Sequence, residues 1–237
     1  MKLAGVRIRL LLAAFVAVIV LSVGIWHLSK QRCFQFVGSV TCRVETNERI
    51  VALSFDDGPT PLGVNAILPV LEKYNVKATF FLIGKFMAEH PELAPKLQKA
   101  GHELGNHSYS HVWMMGHWPS WYDREIADTH KILTAAGAKP VLFRPPFGKK
   151  MIGLPMAVER NGYRSVTWDV ADGFPDMIDG PSYAAHILKQ VKPGSIILMH
   201  PMYQHSQPAR DALPLILEGL AKQGYRIVPV GALLKLE

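Results

Sequence analysis

Seven short apolar runs recur between residues 50 and 230, and their spacing is the strongest constraint on what this chain can fold into. They lie at 50–55, 78–83, 102–105, 141–144, 163–169, 195–200 and 225–230. VALSF, ATFFLI and SIILM are short and rich in β-branched or aromatic residues, as strands buried on both faces are. Between the runs lie stretches with apolar residues three and four apart, at 65–74, 91–100, 121–135, 154–161, 183–191 and 210–222. In the first of these, Ile67, Leu68, Leu71 and Tyr74 would line one side of a helix. Gly101, Gly137, Gly162 and Gly224 stand where helices should stop. Strands alternating with helices imply an α/β fold with a parallel sheet and right-handed crossovers.

Such a sheet is either open and doubly wound or closed into a barrel, and the polar residues help to choose. Asp56 and Asp57 follow the first run, His107 and His111 the third, and Arg144 ends the fourth. Asp169 and Asp172 end the fifth, and His200 ends the sixth. An open sheet gathers its site near one switch point, whereas contributions from many strand ends suit a barrel mouth. The expected fold is a distorted, seven-stranded (β/α) barrel, irregular or incompletely closed because a regular one has eight strands.

Leu10–Ser29, LLLAAFVAVIVLSVGIWHLS, carries no formal charge, and about 20 apolar residues suffice to cross a bilayer as a helix. Lys2, Arg7 and Arg9 precede it. A cleaved signal peptide would have an apolar region of about 7–15 residues and an A-x-A-like site, and here only Ser22-Val23-Gly24 resembles one. An uncleaved anchor within residues 1–30 is therefore expected. Lys30, Arg32 and Arg43 follow the span, so basic residues barely set its orientation. Cys33 and Cys42, the chain's two cysteines, suit a disulfide in an oxidising compartment; two unrelated thiols are the alternative. Residues 31–48 then read as a linker and 49–237 as one domain, on the periplasmic or outer side of a membrane. The net charge is +7, but residues 1–48 hold six basic and two acidic side chains against 20 and 17 in the remainder. The body is only mildly basic and has no Lys/Arg run, which argues against nucleic-acid binding. No obligate protein partner is inferred.

Asp56-Asp57-Gly58-Pro59 leaves an apolar strand, and neighbours on an extended chain point opposite ways. One carboxylate could hold a metal while the other, turned by the Gly-Pro bend, faces a bound water; a plain turn is the alternative. His107-Ser108-Tyr109-Ser110-His111 places two imidazoles at i and i+4, on one side of a helical turn and within reach of one metal. Chance is the alternative in a chain with ten His; His27, His90, His117, His130, His186 and His205 show no partner pattern and read as surface or packed side chains. Adding Asp57 gives two His and one carboxylate with an open position, a set that suits Zn²⁺ and also serves non-haem iron. Arg144 stands before a rigid turn, and its fork suits a carboxylate, with Asp56 the natural partner. Asp172 could orient His200 through one ring nitrogen. A surface arginine and a structural histidine are the plainer alternatives.

Taken together, LSFDDGP (53–59), HSYSH (107–111), RPPFG (144–148), WDVAD (168–172) and LMH (198–200) resemble the five ordered motifs of the polysaccharide deacetylases. This is the family that shares the NodB homology domain, carbohydrate esterase family 4. The resemblance covers residues 49–235 and extends to ATFFLIG and GHELGNH. It implies a distorted (β/α) barrel and hydrolysis of N-acetyl groups on the amino sugars of a chitin-like or peptidoglycan glycan, with release of acetate. Position by position, Asp56 resembles the catalytic base, and Asp57, His107 and His111 resemble the metal ligands. Arg144 resembles the residue paired with the base, and the Phe147 backbone N–H the oxyanion donor. His200 resembles the catalytic acid and Asp172 its partner. The implied cofactor is a divalent metal, Zn²⁺ by the ligand set.

The chain departs from the family pattern at Gly173, where a Trp is usual, with Phe174 next, and at Pro201, where an Asp is often seen. Residues 112–121, VWMMGHWPSW, are also unusual. They would line a sugar groove, touch a lipid carrier, or form a loop with its own small core. Two rival functions remain: a deacylase of a lipid-linked sugar, and a catalytically silent glycan-binding domain. A metallopeptidase is disfavoured because no H-E-x-x-H occurs.

Overall fold

The computed structural model describes residues 2–29, 31–172 and 179–237, with side chains from Leu10 onward. Gly173 and Phe174 therefore lie outside the described residues. The chain begins with helix α1 (Lys2–Ser29) and strand β1 (Val40–Thr41). Then come β2 (Ile50–Gly58), α2 (Pro61–Lys73), β3 (Thr79–Leu82), α3 (Gly84–Glu89), α4 (Leu93–Lys99) and β4 (Glu103–Asn106). The second half runs α5 (Pro119–Ala135), β5 (Leu142–Phe143), α6 (Gly153–Arg160), β6 (Arg164–Val166) and β7 (Val170–Ala171). It ends with α7 (Gly180–Gln190), β8 (Ile196–Met199), α8 (Gln207–Lys222), β9 (Arg226–Val228) and α9 (Val230–Leu233).

Every strand pairing in the sheet is parallel. The order is β1-β6-β5-β4-β3-β2-β8-β7, with β9 beside the lower half of β2. This order forces the sheet to curl. β6 and β7 stand near opposite ends of the path, yet only residues 167–169 join them. That link reaches at most about 14 Å, so the two ends must come together. An antiparallel bridge between Arg43 and Ser195 adds a contact across the same seam. The result is a curled half-barrel. It has nine strands rather than seven, because β1 and β7 are two residues long and leave no apolar run of their own. The run 163–169 holds β6 and the seam, and β7 begins just beyond it.

Strand β2 runs up the centre, and all nine of its residues are buried. Side chains alternate between faces. Val51, Leu53 and Phe55 pack outward in the large core against α2, α4, α7 and α8. Ile50 and Ala52 point into the barrel, where Phe81, Leu142, Val166, Ile196, Val230 and Leu233 fill the base. By the same alternation Ser54 and Asp56 face the interior, above that apolar plug. Helix α2 starts four residues ahead of its apolar pattern because Thr60 caps it, accepting from the Gly63 amide at 3.1 Å, with Pro61 in the first turn.

The stretch 31–48, expected as a linker, is packed into the body. Val40 and Thr41 pair with Ser165 and Val166, Val44 joins the interior core, and Cys33 is disulfide-bonded to Cys42. Residues Leu10–Ser29 of α1 form a 20-residue apolar helix with none of its most apolar window buried in the protein.

Candidate active site

Because the strands are parallel, their carboxyl ends share one rim. Asp56 and Asp57 lie at the end of β2, His107 just past β4, Arg144 just past β5, Asp172 past β7 and His200 past β8. The structure brings all six to one mouth, with His111 from the loop after β4.

Two adjacent carboxylates reach the same mouth because β2 bulges. Phe55 faces Phe80 but Gly58 faces Leu82, so β2 carries one residue more than β3. Asp57 takes φ 65°, which turns its carboxylate from the strand's outer face to the rim. Among the described residues, four of the five non-glycine positions with positive φ lie in this site: Asp57, Ser108, His111 and Phe147. Such backbone is costly for residues with a side chain and persists where the surroundings impose it.

His107 and His111 do converge, but not on a helix as their spacing predicted. Residues 107–111 form a loop. Glu125, from α5, accepts from the Tyr109 amide at 3.0 Å, the Ser110 amide at 2.8 Å and the Ser110 hydroxyl at 2.9 Å. Asn106 Oδ1 accepts from the Ser108 amide, and Ser108 Oγ from the His111 amide. His107 Nδ1 is 2.7 Å from the Arg144 carbonyl oxygen, to which it can only donate. That leaves the Nε2 lone pair facing the carboxylates, 3.4 Å from Asp57 Oδ1, with His111 Nε2 at 3.0 Å from the same oxygen. Donor atoms of Asp57, His107 and His111 all lie within 4.8 Å of one another. Asp57 Oδ1 is buried and accepts no well-formed hydrogen bond despite those neighbours. An orphaned buried carboxylate oxygen facing imidazole nitrogen is what a cation-binding set requires. Burial pushes the Asp57 carboxyl up, but the adjacent His107, His111 and His200 outweigh it and hold it far below the usual carboxylate range.

Beside the triad sits a fully buried ion pair. Arg144 Nη1 donates to Asp56 Oδ1 at 2.7 Å and to Ser54 Oγ at 2.9 Å, and Nη2 donates to the Thr167 carbonyl at 3.0 Å. The guanidinium lies 4.0 Å over the Phe81 ring. Burial lowers the Arg144 pKa while the Asp56 charge opposes the drop. Asp56 Oδ2 is left toward the triad, 3.6 Å from His107 Nε2.

Across the mouth, His200 donates from Nδ1 to Asp172 Oδ2 at 2.8 Å, and its Nε2 lies 3.9 Å from Asp57 Oδ2. Burial disfavours the charged ring, but the Asp172 hydrogen bond and the charges of Asp172, Asp56 and Asp57 prevail, and His200 is pushed up to about 9. A cavity of about 240 Å³ opens here, lined by Asp57, Asp172, His200, Tyr203, His205 and Ser206. Phe147, half-exposed in the turn Pro146–Gly148, lies 4.7 Å from the His111 ring.

Sequence reasoning missed four supporting residues. Tyr183 donates its hydroxyl to Asp172 Oδ2 at 2.9 Å. Glu125 and Ser54 hold the loop and the arginine as described. Arg210 ties down the segment after His200 by donating to the carbonyls of Pro201, Tyr203 and Gln204. Only Ser54 lies in a motif, LSFDDGP, and each acts from a different element. Asp169, by contrast, serves the seam: its carboxylate accepts from Ser195 Oγ and the Ile196 amide.

The curled parallel half-barrel, with buried carboxylates and histidines on its carboxyl rim, is the fold shared by solved members of carbohydrate esterase family 4. The polysaccharide deacetylase family model matches residues 43–166, and the chain belongs to that family. It is 35% identical over 200 residues to a peptidoglycan-N-acetylglucosamine deacetylase of Bacillus cereus, covering 84% of this chain and 94% of that protein. It is 34% identical to the peptidoglycan-N-acetylmuramic acid deacetylase PdaC of Bacillus subtilis, over 80% of this chain but only 40% of the relative. The solved structure of the Bc1960 peptidoglycan N-acetylglucosamine deacetylase superposes with a TM-score of 0.77 at 32% identity, covering 82% of this chain and 92% of that one.

Proposed function

We propose that this protein removes N-acetyl groups from amino sugars of cell-envelope glycan, with peptidoglycan the leading substrate, and that it needs a divalent metal to do so. The carrying observation is the adjacency of the Arg144-held Asp56 to the Asp57, His107 and His111 set, with the His200–Asp172 pair opposite. The relatives named as peptidoglycan deacetylases support the glycan.

An acetamide is a poor electrophile and its amine a poor leaving group. A metal held by Asp57, His107 and His111, Zn²⁺ by the donor set, would polarise the carbonyl and lower the pKa of a water. The chain's own groups supply the proton traffic. Asp56 Oδ2 takes the proton of the attacking water while Arg144 fixes Oδ1. The Phe147 N–H serves as a donor to the developing oxyanion. His200, protonated on both ring nitrogens, delivers the Nε2 proton to the departing nitrogen while Asp172 holds Nδ1.

The proposal extends to position: α1 serves as a membrane anchor with the body on the extracytoplasmic side, a reading supported by the exposed apolar Leu10–Ser29 helix and by the Cys33–Cys42 disulfide, which suits an oxidising compartment. The test is acetate release by the full chain in detergent, loaded with Zn²⁺, from peptidoglycan and from chito-oligosaccharides. Release from peptidoglycan that vanishes in Asp56→Asn is expected. No release from folded, metal-loaded protein would overturn the peptidoglycan assignment and favour first a deacylase of a lipid-linked sugar and then a silent glycan-binding domain.

A further inference from the structure

The end of α1 and the mouth of the site meet through a row of rings. Trp26, one turn before the end of α1, stacks on Trp113 with centroids 6.3 Å apart and planes at 7°. Trp113 in turn stacks on Phe147 at 6.0 Å, and Phe147 lies 4.7 Å from the His111 ring. Lys149 Nζ sits 5.0 Å from the Trp26 ring centre and 5.5 Å from that of Trp113.

The loop that carries Trp113 is partly core and partly rim. Met114 is buried with Tyr122 and Ile126, and Trp121 packs against them. Trp113 and Trp118 point outward, and Trp118 is 83% exposed. His117, between them, joins the loop to itself, with Nε2 3.1 Å from the Trp113 carbonyl and its ring stacked on Trp121. Phe147, Val112 and Ile152 are exposed as well. Exposed apolar groups gathered on one rim mark an interaction surface.

With α1 across a bilayer, its length says what that surface meets. A helix of 20 residues is about 30 Å long, the thickness of the hydrocarbon core. Its final turn then reaches the headgroup boundary, where Trp rings are enriched and Lys side chains extend to the charged layer. A ring stacked on Trp26 shares that depth. We infer that the rim carrying Trp113, Trp118 and Phe147 docks on the bilayer that α1 crosses, so that the mouth opens at the membrane surface. The inference rests on the anchor assignment above, and its occupant is a phospholipid surface.

The test uses the full chain in phosphatidylcholine–phosphatidylglycerol vesicles containing lipid brominated either high on the acyl chain or near its methyl end. The difference between wild type and Trp118→Phe isolates the emission of the Trp118 ring. Its high exposure means the replacement leaves the packed core intact. Blue-shifted Trp118 emission, quenched more by the high bromines than by the deep ones, is expected. Water-like, unquenched Trp118 emission from protein that resists alkaline carbonate extraction would overturn the docking and leave the anchor standing. Release by carbonate, or an N-terminus cleaved after the span, would overturn the anchor and the docking together.

Discussion

Replacing Arg144 by Met should expose how the interior of the mouth is held. Arg144 is 0% exposed, and its guanidinium donates to Asp56, Ser54 and the Thr167 carbonyl. Met has a similar reach and keeps apolar contact with Phe81, so the change removes mainly charge and hydrogen bonds. Asp56, 2% exposed, would then hold a buried carboxylate with no counter-charge. Breaking such a pair from one side costs about 3–5 kcal/mol. At about 2–4 °C per kcal/mol for a domain of this size, the melting temperature should fall by roughly 6–20 °C. The assay is a thermal melt in chelator, so that no bound metal neutralises Asp56. The double variant Asp56→Asn/Arg144→Met leaves no stranded charge and should melt above Arg144→Met alone. An Arg144→Met melt within about 2 °C of wild type, or a double variant whose loss equals the sum of the singles, would refute the buried pair.

Three other outcomes follow from the same geometry. His200 is pushed up to about 9, above its unfolded value of about 6.5; its contribution to stability is complete below about 6.5 and is lost as pH rises through about 9. Activity that needs its proton should fall on an alkaline limb, and Asp172→Asn should move that limb of the kcat/KM profile to lower pH; an unmoved limb would remove His200 from the acid role. Glu125→Ala frees the Tyr109 and Ser110 amides that fix the 107–111 loop, and should weaken Zn²⁺ binding by about 10–100-fold in a calorimetric titration; unchanged affinity would show that the loop holds without it. Thiol labelling of native protein without reductant should find no free thiol, and Cys33→Ser/Cys42→Ser should lower stability by about 2–3 kcal/mol in a denaturant melt.

Much of the fold was legible because a parallel α/β sheet writes itself as buried runs separated by amphipathic ones. The seven runs all became strands, and each site residue named from sequence lies at a strand's carboxyl end or on the loop that leaves it. That Asp56 and Asp57 differ in direction was legible from strand alternation, but which of them faces the interior was fixed only by the placement of Ile50 and Ala52 in the barrel's base. The conformation of HSYSH was not, since spacing alone cannot tell a helical turn from a loop held by the distant Glu125. Tyr183, Glu125 and Arg210 were invisible for a related reason: each is an ordinary polar residue on an amphipathic helix until tertiary packing turns it toward the site.

Local sequence thus determined the order of elements, the apolar span and which residue types would stand at the strand ends, because these depend on periodicity and on neighbours in the chain. Tertiary structure alone decided that β6 and β7 meet across a three-residue seam, that the bulge at Asp57 turns two adjacent carboxylates to one mouth, and that Trp26 reaches Trp113. Those outcomes depend on contacts between segments far apart in the chain, and their energies are set only once the sheet has curled.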